Sequence, residues 1–192
     1  MSKKLLFVIA GPRLAGCTAF AARTAAEAAR AAGSEVTIVE LPKVKGGTTG
    51  CISCYGCQRS AEYRCVLDDG MSELVASVPQ YDAVVIASPV FFFSISCQAK
   101  AFLDRFFCLI KHREDGSIAT PLGRVGLAFI TTSGGDEDDS GVRNIYGTMR
   151  DCAAFLGSGE PKFLYYGLCG DPAVFKADPA NAEKAAAFGR SL

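Results

Sequence analysis

Short apolar runs alternate with helix-length segments along the chain. The runs at 5–10, 35–40, 83–88, 125–131 and 162–166 read as strands. They are continuous rather than alternating, which is the pattern of strands buried on both faces of a parallel sheet. Between them the spacing predicts helices over about 17–32, 71–78, 95–112, 141–156 and 179–190. The first is rich in alanine and ends at Gly33, a plausible C-cap. The third carries Ile95, Ala99, Phe102, Leu103, Phe106 and Ile110 at helical spacing, so it should bury one bulky face.

Five β-α units in succession predict an α/β fold built on a doubly wound parallel sheet. Ligands of such sheets sit beyond the carboxyl ends of the strands, where the strand order reverses. That directs attention to the loops after the first, third and fourth strands. One connection breaks the rhythm. Residues 41–70 show little periodicity, and loops of that length inside a compact fold are functional or disordered. The 192 residues are expected to form one domain, 1–192, with 41–70 as an insert.

Charge removes some partners from consideration. Lys plus Arg and Asp plus Glu are both 20, so there is no basic excess to attract nucleic acid or an anionic membrane. Lys3-Lys4 before the run at 5–10 imitates the start of a signal peptide, but the run stops at Gly11-Pro12. That is short of an h-region of roughly 7–15 residues. No stretch approaches the roughly 18–20 apolar residues needed to cross a bilayer. A cytoplasmic protein is expected, with its nine cysteines mostly reduced.

Three loops hold the candidate chemistry. After the first strand, Gly11-Pro12-Arg13-Leu14-Ala15-Gly16-Cys17-Thr18 has the outline of a P-loop, with Cys17 where that motif needs lysine. It therefore suits a single phosphate, through backbone N–H groups at a helix N-terminus and the Thr18 hydroxyl. Arg13 adds charge or a cover. An ordinary β-α turn is the alternative. After the third strand, Ser88-Pro89-Val90-Phe91-Phe92-Phe93-Ser94 offers a flat apolar wall for an aromatic ring system; packing between helix and sheet is the plainer fate. After the fourth, Thr131-Thr132-Ser133-Gly134-Gly135 lets backbone approach a ligand, or simply turns. The acidic run at 136–139 reads as a solvated rim.

The insert contains Cys51, Cys54, Cys57 and Cys65, spaced C-x2-C-x2-C-x7-C. That spacing suits the four corners of a [4Fe–4S] cubane better than the paired C-x2-C of a zinc site, and plain or redox-active thiols are the third reading. The other five cysteines, 17, 97, 108, 152 and 169, are expected to be buried small hydrophobes. His112 has no partner visible in sequence and is expected at the surface.

Together the three loops, in this order and spacing over residues 4–170, resemble the NADPH-dependent FMN reductase and iron–sulfur flavoprotein group of the flavodoxin-like superfamily. The resemblance implies a three-layer α/β/α sandwich with a five-stranded parallel sheet in the order 2-1-3-4-5. It implies that Arg13, Gly16, Cys17 and Thr18 face the FMN phosphate, with Gly11 and Pro12 in the same cofactor-binding loop. Pro89, Val90, Phe91 and Phe92 would line one side of the ring, with Thr132, Ser133, Gly134 and Gly135 at its polar edge. Gly11 and Cys17 depart from the family, which has Ser and Asn there. The cysteine motif resembles that of iron–sulfur flavoproteins and implies cluster ligation by Cys51, Cys54, Cys57 and Cys65.

The expected activity is that of an FMN-dependent oxidoreductase passing electrons between a [4Fe–4S] cluster, FMN and a small acceptor, with ferredoxin as one kind of donor. The alternative is an NAD(P)H-dependent FMN or quinone reductase without a cluster, the nicotinamide binding transiently. A receiver domain on the same fold would need an acidic pocket where Gly11-Pro12-Arg13 stands. No side chain is expected to act as an acid or base, because the electron transfer belongs to the flavin. A homodimer or homotetramer is expected, since Phe107, Cys108 and Leu109 extend the apolar surface of the third helix.

Overall fold

The structure, a computed structural model, describes residues 2–192. Its centre is a parallel sheet of β1 (Lys4–Ile9), β2 (Glu35–Glu40), β3 (Ala83–Phe91), β4 (Gly126–Thr132) and β5 (Lys162–Tyr166), in the order β2-β1-β3-β4-β5. This is the flavodoxin-like order expected from the sequence. A two-residue strand, Ser94–Ile95, pairs antiparallel with the end of β3 and adds a sixth strand.

Alternation along each strand divides the core into two layers. Leu5, Phe7 and Ile9 of β1 pack with the alanines of α1 (Cys17–Ala31) and with Ala185 of α6 (Pro179–Arg190). Leu6 and Val8 face the other way, toward α2 (Gly70–Ser77), α3 (Cys97–Asp104) and α4 (Val142–Leu156), which contribute Met71, Phe102 and Met149. The alanine-rich face of α1 has a purpose in this packing. A Cβ on Gly189 of α6 would stand 2.0 Å from the Ala25 carbonyl oxygen, so the two helices meet backbone to backbone.

The third predicted helix ends early. From Asp104 the chain tightens into a 3-10 turn, Arg105–Leu109. With three residues per turn, Arg105 stacks over Cys108 and Phe106 over Leu109. Both rows are buried, and Phe107 alone is left half-buried. The expected apolar surface of Phe107, Cys108 and Leu109 therefore shrinks to Phe107.

The segment 41–70 is irregular but anchored. Arg105, 1% exposed, reaches Asp69 Oδ1 at 2.8 Å and Oδ2 at 3.2 Å, Ser72 Oγ at 2.7 Å and the Thr49 carbonyl at 3.3 Å. Asp69 also caps α2, accepting from the Ser72 N–H at 2.8 Å. Lys111 donates to the carbonyls of Ser60 and Glu62 at 2.7 Å each, and Gln58 donates to the Ile110 carbonyl at 2.9 Å. A further short helix, α5 (Pro172–Ala177), lies outside the sequence expectation; Asp171 caps it through the Ala173 N–H.

Candidate functional site

At the carboxyl end of the sheet lies a cavity of about 320 Å³. Gly11, Pro12, Arg13, Gly16, Cys17 and Thr18 of the first loop line one side. Pro89, Val90 and Phe91 from β3 form a second wall, and Thr132, Ser133 and Gly134 a third. Twelve of the fourteen residues singled out from sequence are thus brought to one cavity. Cys169 and Gly170, after β5, complete the lining. Sequence reasoning misses them because the switch-point rule points to the loops after strands 1, 3 and 4 and not to the loop after the fifth. β5 pairs with β4, and its carboxyl end opens onto the same cavity.

Phe92 and Gly135 fall outside this lining, for different reasons. β3 does not end at Ser88 but runs to Phe91 and turns back through Phe92 and Phe93, whose φ angles are 46° and 65°. A two-residue turn with both φ positive is the type I′ hairpin, normally Asn-Gly. Here it holds two phenylalanines and carries Phe92 to 96% exposure at its tip. Gly141 makes room for the turn, since a Cβ there would stand 2.6 Å from Phe93 Cβ. Gly135 faces Asp139, whose Oδ1 would lie 2.0 Å from an added Cβ. Its carbonyl accepts from Ser133 Oγ at 2.7 Å and from the Leu168 N–H at 2.9 Å.

One end of the cavity is built for an anion. α1 is fifteen residues long, and its N-cap Gly16 offers no side chain to the first free N–H groups. A helix end without such a cap directs those donors and its positive dipole end outward. Thr18 Oγ1 lies 2.7 Å from Thr132 Oγ1, which ties the helix start to the end of β4. Gly11 lies close against the β3 wall: a Cβ there would stand 3.1 Å from Pro89 Cδ, a tight contact that a small shift of the proline would relieve.

The other end of the cavity is open. Nothing lies within 4 Å of where a Gly134 Cβ would stand, opposite the Pro89–Phe91 wall. An uncapped helix end, a hydroxyl donor and a glycine-edged slot beside an apolar wall match the phosphate and ring of FMN. The residues present fit that cofactor.

Around this core Ser133 and Ser96 are paired, whereas Thr131 Oγ1 is buried without a partner among the described residues. Ser133 Oγ bonds the Tyr165 hydroxyl at 2.6 Å, and its carbonyl accepts from the Cys169 N–H at 2.8 Å. Buried Ser96 caps α3 and donates to the Ala10 carbonyl at 2.7 Å, fixing the end of β1 to the start of α3. Burial pushes the Cys169 thiol up to about 12, and the neighbouring Cys17 adds to the effect.

The cysteine insert does not assemble as expected. Cys51, Cys54, Cys57 and Cys65 line one narrow cavity of about 20 Å³ together with Cys108. Among the described residues, however, no three metal-ligating side chains group closely enough to hold a metal ion. Ser53 and Tyr55, both in the left-handed region at φ 57° and 55°, turn the chain sharply between successive cysteines. Cys51 and Cys54 are exposed, Cys57 is buried and Cys65 half-buried. In this arrangement the thiols do not fit a cubane. Cys108 is pushed up to about 12 by its burial, then by Cys65 and Cys57. Of the five remaining cysteines only Cys17 and Cys108 are fully buried; Cys97 is exposed, Cys152 and Cys169 half-buried. His112 is exposed.

A second, apolar cavity of about 370 Å³ lies beside the insert, lined by Tyr55, Phe106, Phe107 and Phe155 among others. Among the described residues no helix is long and apolar enough to cross a membrane.

The family described as NADPH-dependent FMN reductase matches residues 3–156. The iron–sulfur flavoprotein of Archaeoglobus fulgidus is 33% identical over 126 residues, 62% of this chain and 55% of that protein. The FMN-dependent NADH:quinone oxidoreductase of Vibrio parahaemolyticus is 31% identical over 110 residues, 55% of each chain. The chain thus spans just over half the length of these curated relatives. Among solved structures, the NAD(P)H:quinone oxidoreductase from Methanothermobacter marburgensis superposes with a TM-score of 0.76 at 18% identity, covering 100% of both chains. That likeness shows the fold.

Proposed function

The chain belongs to the NADPH-dependent FMN reductase family, and from that premise we propose that it is an FMN-dependent NAD(P)H oxidoreductase reducing a small acceptor such as a quinone. The observation that carries this reading is the single cavity with an uncapped α1 end at one side and open space at Gly134 on the other. The quinone oxidoreductase relatives support the acceptor class.

FMN, when bound, supplies the two-electron chemistry between nicotinamide and acceptor. The chain binds and orients it. The N–H groups at the start of α1 and the Thr18 hydroxyl hold the phosphate, while Arg13 adds charge at the rim. Pro89, Val90 and Phe91 form an apolar wall along the ring and keep water from that face. Ser133, held by Tyr165 and Cys169, presents backbone to the polar edge. No side chain in the cavity is needed as an acid or base.

The test is reduction of iron-free, FMN-reconstituted protein. NADH or NADPH with a quinone should give turnover at flavin stoichiometry. No turnover from flavin-loaded protein with either nicotinamide sinks the reading.

A second reading keeps the iron–sulfur cluster, with ferredoxin as one kind of donor. It is favoured by Cys51, Cys54, Cys57 and Cys65 sharing one cavity wall and by the iron–sulfur flavoprotein relative. It requires the insert to close on the cluster. Iron and sulfide analysis of anaerobically purified protein decides it: four of each per chain supports the cluster, none removes it. Assembly as a homodimer or homotetramer belongs to the same proposal, and sedimentation showing a monomer at micromolar concentration removes that part.

A further inference from the structure

Two cysteines at the anion end of the cavity serve that chemistry only through their backbone, and their thiols have no part in it. Cys17 is the first residue of α1, and its neighbour Thr18 bonds Thr132 at 2.7 Å. Cys169 is held by its own N–H to the carbonyl of Ser133, the next residue along from Thr132, at 2.8 Å. These two ties bring both residues into the lining of one cavity and against one apolar cluster with Leu164 and Tyr166. The Cys169 thiol donates to the carbonyls of Tyr166 and Gly167 at 3.5 Å each, which holds it at the cavity lining it shares with Cys17. All nine cysteines of the chain are free, and none of the other seven lines this cavity. A thiol at a helix N-terminus is the nucleophilic member of such a pair. Its neighbour is the resolving thiol.

We propose that Cys17 and Cys169 form a reversible disulfide site, oxidised by hydrogen peroxide when the cavity is empty and shielded when a phosphate-bearing ligand fills it. In the first step Cys17 sulfur attacks peroxide. The O–O bond breaks, water leaves, and Cys17 becomes a sulfenic acid. In the second step Cys169 sulfur attacks that sulfur. The S–S bond forms, the S–O bond breaks, and a second water leaves. Two thiols and one peroxide thus give one disulfide and two waters, and a dithiol reductant reverses the change by exchange.

A disulfide holds its sulfurs at about 2.05 Å, so closure draws residues 167–170 toward α1 and narrows the phosphate end. Because oxidation and ligand compete for the same form, each opposes the other. The shielding half rests on the proposed flavin site; the disulfide half does not.

The full chain, freed of flavin, is treated with hydrogen peroxide, alkylated and digested without reduction, then mapped by mass spectrometry. The expected product is one Cys17–Cys169 cross-linked peptide, two hydrogens lighter than the separate thiols and lost on treatment with dithiothreitol. Both cysteines recovered as alkylated thiols, or joined only to other cysteines, would overturn the proposal. In Cys169→Ser the sulfenic acid at Cys17 should persist and be trapped by dimedone; no adduct at Cys17 contradicts its place as the attacking thiol. FMN at about ten times its dissociation constant, measured separately by flavin fluorescence, should slow the cross-link about tenfold. An unchanged rate with FMN bound overturns the shielding. Absence of FMN binding removes the flavin reading and the shielding together, and leaves the disulfide result standing.

Discussion

Replacing Asp69 with Ala should be among the most damaging single changes outside the sheet. Asp69 does two things at once: it accepts two hydrogen bonds from Arg105, and it caps α2 through the Ser72 N–H. Arg105 is 1% exposed, and its Nε is already buried without a partner. Removing one member of a buried ion pair costs about 3–5 kcal/mol, because the other charge is left unpaired. Loss of the cap adds about 1 kcal/mol. The expected total is about 4–6 kcal/mol. With a urea slope of about 2 kcal/mol/M, the unfolding midpoint should fall by about 2–3 M.

Asp69→Asn keeps the cap and one acceptor, and should lose about half as much. The double variant Asp69→Ala/Arg105→Met should recover part of the loss, since no charge is left stranded. The pH dependence has a defined sign. Burial pushes the Asp69 carboxyl up, but the hydrogen bonds from Arg105 and Ser72 outweigh it and hold it below its ordinary value. Its stabilisation is therefore present above about pH 4 and lost as pH falls through the lowered value. The wild-type chain should show this acid loss, and Asp69→Ala should lack that part of it. An Asp69→Ala midpoint within about 0.5 M of wild type would refute the reasoning, by showing that the insert is not anchored through this pair.

Three other changes report on separate parts of the structure. Gly134→Val projects into open space, so it should leave the melting temperature within about 3 °C while weakening FMN binding at least ~100-fold; unchanged affinity in a fluorescence titration would mean that no ligand passes Gly134. Gly189→Ala forces a methyl against the Ala25 carbonyl and should cost about 1–3 kcal/mol by urea unfolding; a neutral result would contradict the backbone contact of α6 with α1. Cys108, 2% exposed, is pushed up to about 12 first by burial. Its folded value is raised, so the stabilisation is complete below the ordinary thiol range near 8.5 and is lost as pH rises toward 12. Urea unfolding under reductant should show stability falling between pH 8 and pH 10, with Cys108 contributing about 2 kcal/mol of that loss, and Cys108→Ala should shrink the loss by about that amount while the raised Cys169 thiol keeps its own share.

The parallel sheet was legible because its inner strands are buried on both faces, which leaves unbroken runs such as Leu5–Ile9, while the edge strand β2 (Glu35–Glu40) is only half-buried. The cavity was legible because a doubly wound sheet gathers its carboxyl-end loops at one place. The exposure of Phe92 was not legible because nothing in Phe-Phe signals a type I′ turn; the room for it comes from Gly141, some fifty residues away. The early end of the third helix was hidden because Phe106, Leu109 and Ile110 satisfy a helical spacing equally well. What selects the tighter turn is the reach of Arg105 to Asp69 across the core. The cysteine spacing gave the order of the thiols but not their directions, which depend on the left-handed residues Ser53 and Tyr55. Cys169 was not legible because a single cysteine after a strand has no local signature, and its significance lies in sharing a cavity lining with Cys17.

The central claim is that FMN occupies the cavity above β1, β3 and β4, and a crystal structure of the chain with FMN tests it most directly. The account predicts the phosphate within hydrogen-bonding distance of the Cys17 and Thr18 N–H groups, with the ring between Phe91 and Gly134. A flavin lodged instead in the apolar cavity beside Phe106 and Phe155, or a carboxyl-end cavity left without flavin at saturating FMN, would contradict it.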